Sequence, residues 1–264
     1  MNSFSKSICF LFSFLLVSTP AFSQIQTQPV DYQDGDTVLE GYLAYDDQYA
    51  NELRPGILVV HQWKGLDDYT KRRARELAEL GYVAFAVDIY GKGVRAANRE
   101  EARQLAGLYK HNLPLLRRRA HAGLEALKHN PTVDVNRIGA IGYCFGGTTV
   151  LEMARAGEPI DAIVSFHGGL DTAMPAQPGE VKAKLLVLHG ADDPSNPPAL
   201  VQQFKDEMNS AGTIYQFIAY SGAVHAFTDP SVGNDPSKGV AYNEAADKAS
   251  WLEMKKFFKT VFGS

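Results

Sequence analysis

Residues 142–147 read Gly-Tyr-Cys-Phe-Gly-Gly, and the apolar run Arg137 to Ile141 ends just before them. A segment of helical character, Thr148 to Ala156, begins just after. Glycines two residues before and two residues after a nucleophilic side chain are what a tight strand-to-helix turn requires. The backbone closes so sharply there that larger flanking side chains would clash, and the central residue stands strained at the carboxyl end of a strand. The pattern therefore demands a strand, a helix folded back on it, and further strands to bury the first. The start of that helix also places N–H groups and a positive dipole end beside Cys144, which favours the thiolate.

The rest of the chain supplies the remaining layers. Val38 to Tyr45 alternates apolar and polar residues and reads as a half-exposed antiparallel strand. Gly56–Val60, Tyr82–Val87, Ala162–Phe166 and Leu185–His189 are continuous apolar runs, as buried parallel strands are, and Tyr215–Tyr220 is the last strand. Helical periodicity covers Asp68–Leu80, Ala97–Tyr109, Leu113–His129, Ala199–Ala211 and Ala241–Phe258. Apolar strands alternating with helices imply an α/β fold: a mainly parallel, doubly wound sheet with helices on both faces. In such sheets ligands bind beyond the carboxyl ends of the strands. The positions to search are His61, Asp88, Cys144, His167, Asp193 and the loop after Tyr220.

The first 23 residues have a different character. Lys6 is the only charge before Asp31, an apolar run spans Ile8 to Val17, and small residues stand at Ala21 and Ser23. This is the layout of a secretory signal peptide cut before Gln24, and the run is shorter than the ~20 residues a transmembrane helix needs. The expected organisation is a signal peptide over 1–23 and one domain over 24–264, exported to a periplasm or secreted, without stable membrane insertion. Cleavage would remove Cys9 and leave Cys144 as the single thiol, so no internal disulfide is available. A retained unpaired cysteine in an oxidising compartment is conspicuous. With 45% hydrophobic and 21% charged residues the remainder is of ordinary globular composition. A formal net charge of −4 with no basic patch argues against a nucleic-acid partner. No metal-ligand spacing or Gly-rich phosphate fingerprint occurs, so neither metal nor cofactor is expected.

A nucleophile on this turn needs an acid and then a histidine, in that chain order. Gly190-Ala191-Asp192-Asp193 follows one buried strand and offers two acids; His225 follows the last strand. With these residues in place the chain resembles the dienelactone hydrolase family of α/β-hydrolases over about Tyr32 to Phe258. The resemblance rests on His61-Gln62-Trp63-Lys64-Gly65, Asp88-Ile89-Tyr90-Gly91, Gly142-Tyr143-Cys144-Phe145-Gly146-Gly147, and the Asp193 and His225 loops. It implies an α/β-hydrolase fold and a carboxylic-ester or lactone hydrolase. In that reading Cys144 attacks the carbonyl, His225 is the general base and acid, and Asp193 orients His225. The family spacing Gly-x-x-Asp-x-x-x-Pro selects Asp193 through Gly190 and Pro197, with Asp192 as second candidate. The oxyanion hole is expected from the backbone N–H groups of Phe145 and Trp63.

Three positions depart from the family. Gln62 stands where a glutamate pairs with the resting cysteine, and Lys92 and Asp229 stand where arginines grip a substrate carboxylate. A neutral or bulkier ester is therefore expected rather than a small anionic lactone, with Gln62, Tyr90, Lys92 and Phe227 as pocket candidates beside Trp63. His61 reads as a structural support of the oxyanion loop, and His167 and His189 read as polar strand-end residues. The chain is expected to act on a small molecule as a monomer or small homo-oligomer. Two other readings use the same residues: a thioesterase or acyltransferase, separable by product analysis, and a non-catalytic binding protein, which would leave thiol and ester probes unreacted.

Overall fold

The computed structural model describes residues 24–263; the expected signal peptide, residues 1–23, lies outside them. The strands are β1 (Ile25–Asp34), β2 (Thr37–Asp46), β3 (Arg54–Val60), β4 (Val83–Val87), β5 (Val133–Tyr143), β6 (Ala162–Phe166), β7 (Lys184–Gly190) and β8 (Tyr215–Tyr220). They form one sheet in the order β1-β2-β4-β3-β5-β6-β7-β8. β1 and β2 are antiparallel to their neighbours, and all pairings from β4 through β8 are parallel. β3, β4, β6 and β7 are buried on both faces, which is why they are written largely in Val, Ile, Leu and Ala without alternation.

Helices cover both faces. α1 (Asp68–Glu79) and α6 (Glu244–Phe262) lie on one side. On the other lie α2 (Arg99–Lys110), α3 (Leu113–Lys128), α4 (Phe145–Arg155) and α5 (Pro198–Ser210). α6 runs one turn beyond its expected end because Met254, Phe258 and Phe262 share a stripe at four-residue spacing. Phe262 packs at a tilt on Phe258 at 5.4 Å between ring centroids, and Phe258 meets Tyr82 at 5.8 Å. A fully buried phenylalanine contributes about 1.5–3 kcal/mol, enough to hold the extra turn. Among the described residues no helix is long and apolar enough to cross a membrane.

One strand goes beyond the sequence expectation. β1 is mostly polar and carries Pro29, yet it pairs with β2 along its whole length, from Ile25 opposite Asp46 to Asp34 opposite Thr37. The proline is tolerated because β1 is the sheet edge. The two-residue connection Gly35-Asp36 sets the register, with Gly35 at φ +57°.

This topology brings the carboxyl ends of β3 to β8 to one edge of the sheet. His61, Asp88, Cys144, His167 and Asp193 all stand there, and the loop after β8 brings His225 back over the same edge.

Candidate active site

Cys144 is the N-cap of α4, at φ +54° and ψ −113°. A non-glycine residue in that region costs about 1–3 kcal/mol and persists only where its surroundings enforce it. Close approach enforces it here. A Cβ on Gly142 would collide with the Gly146 carbonyl, and one on Gly146 with the Val60 carbonyl at the end of β3. The two glycines are thus required by space, not by a left-handed φ.

His225 Nε2 lies 3.0 Å from Cys144 Sγ, and His225 Nδ1 lies 2.9 Å from Asp193 Oδ2. Asp193 is buried, and its carboxylate also accepts the Ser195 N–H at 2.8 Å and the Asn196 side-chain amide at 3.3 Å. Asp192 is exposed and accepts the Gly222 N–H at 3.0 Å, which braces the loop ahead of His225. Of the two candidate acids, Asp193 is the one brought to the histidine.

The electrostatics follow from these contacts. Burial pushes the Cys144 thiol up. The His225 charge and hydrogen bond, the Lys110 ammonium and the Phe145 N–H outweigh it, and the thiol lies below its ordinary value. Burial pushes His225 down, but the Cys144 thiolate and Asp193 raise it to about 10. Burial raises Asp193 as well, and its bonds from His225 and Ser195 bring it below the ordinary carboxylate range. The shifts agree on one arrangement: thiolate, imidazolium, carboxylate.

Behind the sulfur, the loop after β3 is fixed by two carbonyl anchors. His61 is fully buried; its Nε2 accepts the Ile89 N–H at 3.2 Å, so its Nδ1 carries the proton and donates to the Gln62 carbonyl at 2.6 Å. The Tyr90 hydroxyl donates to the Trp63 carbonyl at 2.9 Å. Holding the Gln62 carbonyl also fixes the Trp63 N–H, because the two lie on opposite sides of one planar trans peptide. Phe145 is the first residue of α4, where N–H groups lack intrahelical partners.

Two cavities meet at the sulfur. One of about 640 Å³ is bordered by Gln62, Trp63, Arg99, Val232 and Lys238. The other, about 480 Å³, is bordered by Gly107, Lys110, Thr148, Gly169 and Asp171. Trp63, Arg103, Ser195 and His225 line both.

Three pocket expectations need correction. Lys92 is not in either cavity: its ammonium is bound at 2.6 Å to Asp31 on the edge strand and 3.3 Å to Glu40. Phe227 is fully buried in the core, tilted against Tyr220 and edge-on to His167, because the chain turns inward after His225. Tyr90 is buried too and supports the Trp63 loop from behind. Gln62 does line the larger cavity, with its amide donating to Asp229 at 2.8 Å.

The site also contains groups that the sequence reading passed over. Arg99, Arg103, Gly107 and Lys110 fall at helical spacing on α2, so one face of that helix presents cations and a small residue to the cavities. Lys64 and Lys238 add to the positive rim, while Asp229 is occupied by Gln62 and the Ser231 N–H. Both partners of Asp229 are neutral donors, so the acidic residue expected to repel anions stays in the lining with Asp67 and Asp171, among a larger number of cations. The i, i+4, i+8, i+11 spacing was visible in the sequence; that it faces the cysteine was not. His167, read as a bland strand end, accepts the Cys144 N–H at 3.1 Å. Among the described residues no group of three or more His, Cys, Asp or Glu side chains is arranged to hold a metal ion.

The sequence model of the dienelactone hydrolase family matches residues 39–262. The chain is similar to a dienelactone hydrolase-like promiscuous phosphotriesterase from metagenomic libraries. That crystal structure superposes with a TM-score of 0.82 at 37% identity, covering 90% of this chain and 98% of the other. It is 28% identical over 239 residues to a putative carboxymethylenebutenolidase of Aquifex aeolicus, covering 88% of this chain and 98% of that protein. A putative dienelactone hydrolase of Klebsiella pneumoniae shares the fold, with a TM-score of 0.70 at 20% identity over 89% of this chain and 98% of its own.

Proposed function

Because the chain belongs to the dienelactone hydrolase family, we propose that it hydrolyses carboxylic esters or lactones through Cys144, His225 and Asp193 and a covalent acyl-enzyme. The observation that carries this reading is the continuous contact from Sγ to His225 at 3.0 Å and on to Asp193 at 2.9 Å. The Cys144 thiolate attacks the carbonyl carbon, and its lone pair forms the C–S bond as the carbonyl electrons move onto oxygen. The Phe145 and Trp63 N–H groups donate hydrogen bonds to that oxyanion. When it collapses, the bond to the alkoxy group breaks and His225 Nε2 gives its proton to the leaving alcohol. His225, now neutral, takes a proton from water, whose oxygen attacks the thioester. The acid leaves and the thiolate–imidazolium pair is restored. Asp193 holds the imidazole with Nδ1–H outward and stabilises its charged form.

Gln62 cannot act as a base, and Asp229 holds its amide. Activation of the thiol therefore falls to His225 and is present before substrate binds. The cationic rim formed by Lys64, Arg99, Arg103 and Lys110 supports substrates with a polar or acidic substituent as well as neutral esters.

The pH dependence of thiol modification tests the resting pair. A depressed thiol loses its thiolate only as the pH falls through the depressed value, and the imidazolium is lost as the pH rises through about 10. The acid limb of Cys144 alkylation by iodoacetamide should therefore lie below the ordinary thiol value of about 8.5, and the rate should change again near pH 10. A single sigmoid centred at the ordinary thiol value would count against a preformed ion pair.

A further inference from the structure

Three non-glycine residues among those described have a positive φ: Cys144 at +54°, His167 at +40° and Ala226 at +59°. The first carries the reacting sulfur, and the third directly follows His225. The second, His167, has no part in the chemistry above. It follows β6, is buried, and its ring centroid lies 5.4 Å from that of His225.

The hydrogen bonds of His167 admit one tautomer. Nδ1 faces the Cys144 N–H at 3.1 Å, so Nδ1 is the bare nitrogen and Nε2 carries the proton. That proton goes to Thr228 Oγ1 at 2.7 Å. The Thr228 hydroxyl is hydrogen-bonded to the Tyr69 hydroxyl at 2.6 Å, whose oxygen also accepts from Arg73 Nε at 3.3 Å. Arg73 is anchored on Asp247 at 2.6 Å. Every donor in this chain meets an acceptor, and it runs from α6 and α1 to the amide of the cysteine. Thr228 lies three residues past His225, on the same short loop. Burial and the neighbouring His225 charge hold His167 well below the ordinary histidine range, so it stays neutral beside a charged pair.

We infer that His167 is a positioning residue for the nucleophile–base pair: it clamps the backbone of Cys144 to the loop that carries His225 and so sets the Sγ–Nε2 separation. This rests on the reading of Cys144 and His225 as nucleophile and base. The Cys144 N–H also reaches the Phe166 carbonyl at 3.0 Å, so the turn keeps one anchor without the imidazole. His167 thus fixes the distance across the site more than the fold of the turn. A misplacement of about 1 Å in such a pair costs on the order of 100-fold in rate.

Two variants separate positioning from packing. His167→Asn tolerates the left-handed backbone and keeps an acceptor for the Cys144 N–H, but falls short of Thr228. Thr228→Val keeps the volume and removes the hydroxyl from the other end. Each is expected to lower kcat per titratable thiol about 10- to 100-fold, with KM nearly unchanged and the acid limb of Cys144 alkylation moved toward the ordinary thiol value. Because both cut one clamp, the double variant should lose little more than the worse single variant. Thermal unfolding and thiol titration of the same samples give the folded, reactive fraction. If kcat per reactive thiol stays within twofold of wild type, if the alkylation profile is unmoved, or if the two losses multiply, the clamp is overturned. An alanine at Cys144 that kept full activity would instead remove the nucleophile reading beneath it.

Discussion

Cys144→Ala is expected to lower kcat for a p-nitrophenyl ester by roughly 10⁵- to 10⁶-fold, the scale seen when the nucleophile of a hydrolytic triad is deleted. The variant should fold. Cys144 is only half-buried, alanine removes a single sulfur atom, and alanine already occupies a positive φ at Ala226 in the same site. The residual rate would come from the oxyanion donors and the cavity walls, which the substitution leaves in place. Steady-state kinetics on the folded variant measures this. A loss of less than about tenfold would mean that the sulfur does not attack the substrate.

The second large effect distinguishes two adjacent carboxylates. Asp193→Asn should cost about 10⁴-fold in kcat, and Asp192→Asn no more than about threefold. The reason lies in what surrounds position 193. One carboxylate oxygen accepts the Ser195 N–H, so an amide there must turn its oxygen to Ser195 and its NH₂ to His225. The imidazole would then accept at Nδ1 and carry its proton on Nε2, facing the sulfur. A neutral histidine in that tautomer cannot take the thiol proton. The Asp192 carboxylate accepts the Gly222 N–H, a bond that an asparagine oxygen can keep, and makes no hydrogen bond to His225. Comparable losses from both asparagine variants would show that the loop, and not the tautomer, governs the rate.

Much of this site was legible in the sequence because the physics there is local. The elbow glycines answer to contacts within five residues and to the end of β3, and the order cysteine, acid, histidine follows from which strands end at one edge. The buried strands were legible for a similar reason: a parallel strand with helices on both faces has no polar side to write. What was missed depends on tertiary placement. β1 is an edge strand whose exposed residues are polar, so its alternation is weak and only the pairing with β2 makes it a strand. Phe227 and Tyr90 lie near the site in sequence, yet the chain turns both side chains into the core. Lys92 follows a strand end as expected but is drawn to Asp31 on an element the sequence did not reveal. The cations of α2 were visible as a stripe, but only its packing against α3 aims them at Cys144. His167 looked like any polar strand end until its two nitrogens were seen to bridge the cysteine amide and Thr228.

The central claim is that one sulfur, held as a thiolate by His225, performs the hydrolysis. Stepwise alkylation with iodoacetamide tests it most directly, with carbamidomethylation of the Cys144 peptide quantified by mass spectrometry and esterase activity measured on the same aliquots. Activity should fall in direct proportion to modification at Cys144 and reach background at full modification of that residue. Activity that survives complete modification of Cys144 would contradict the account.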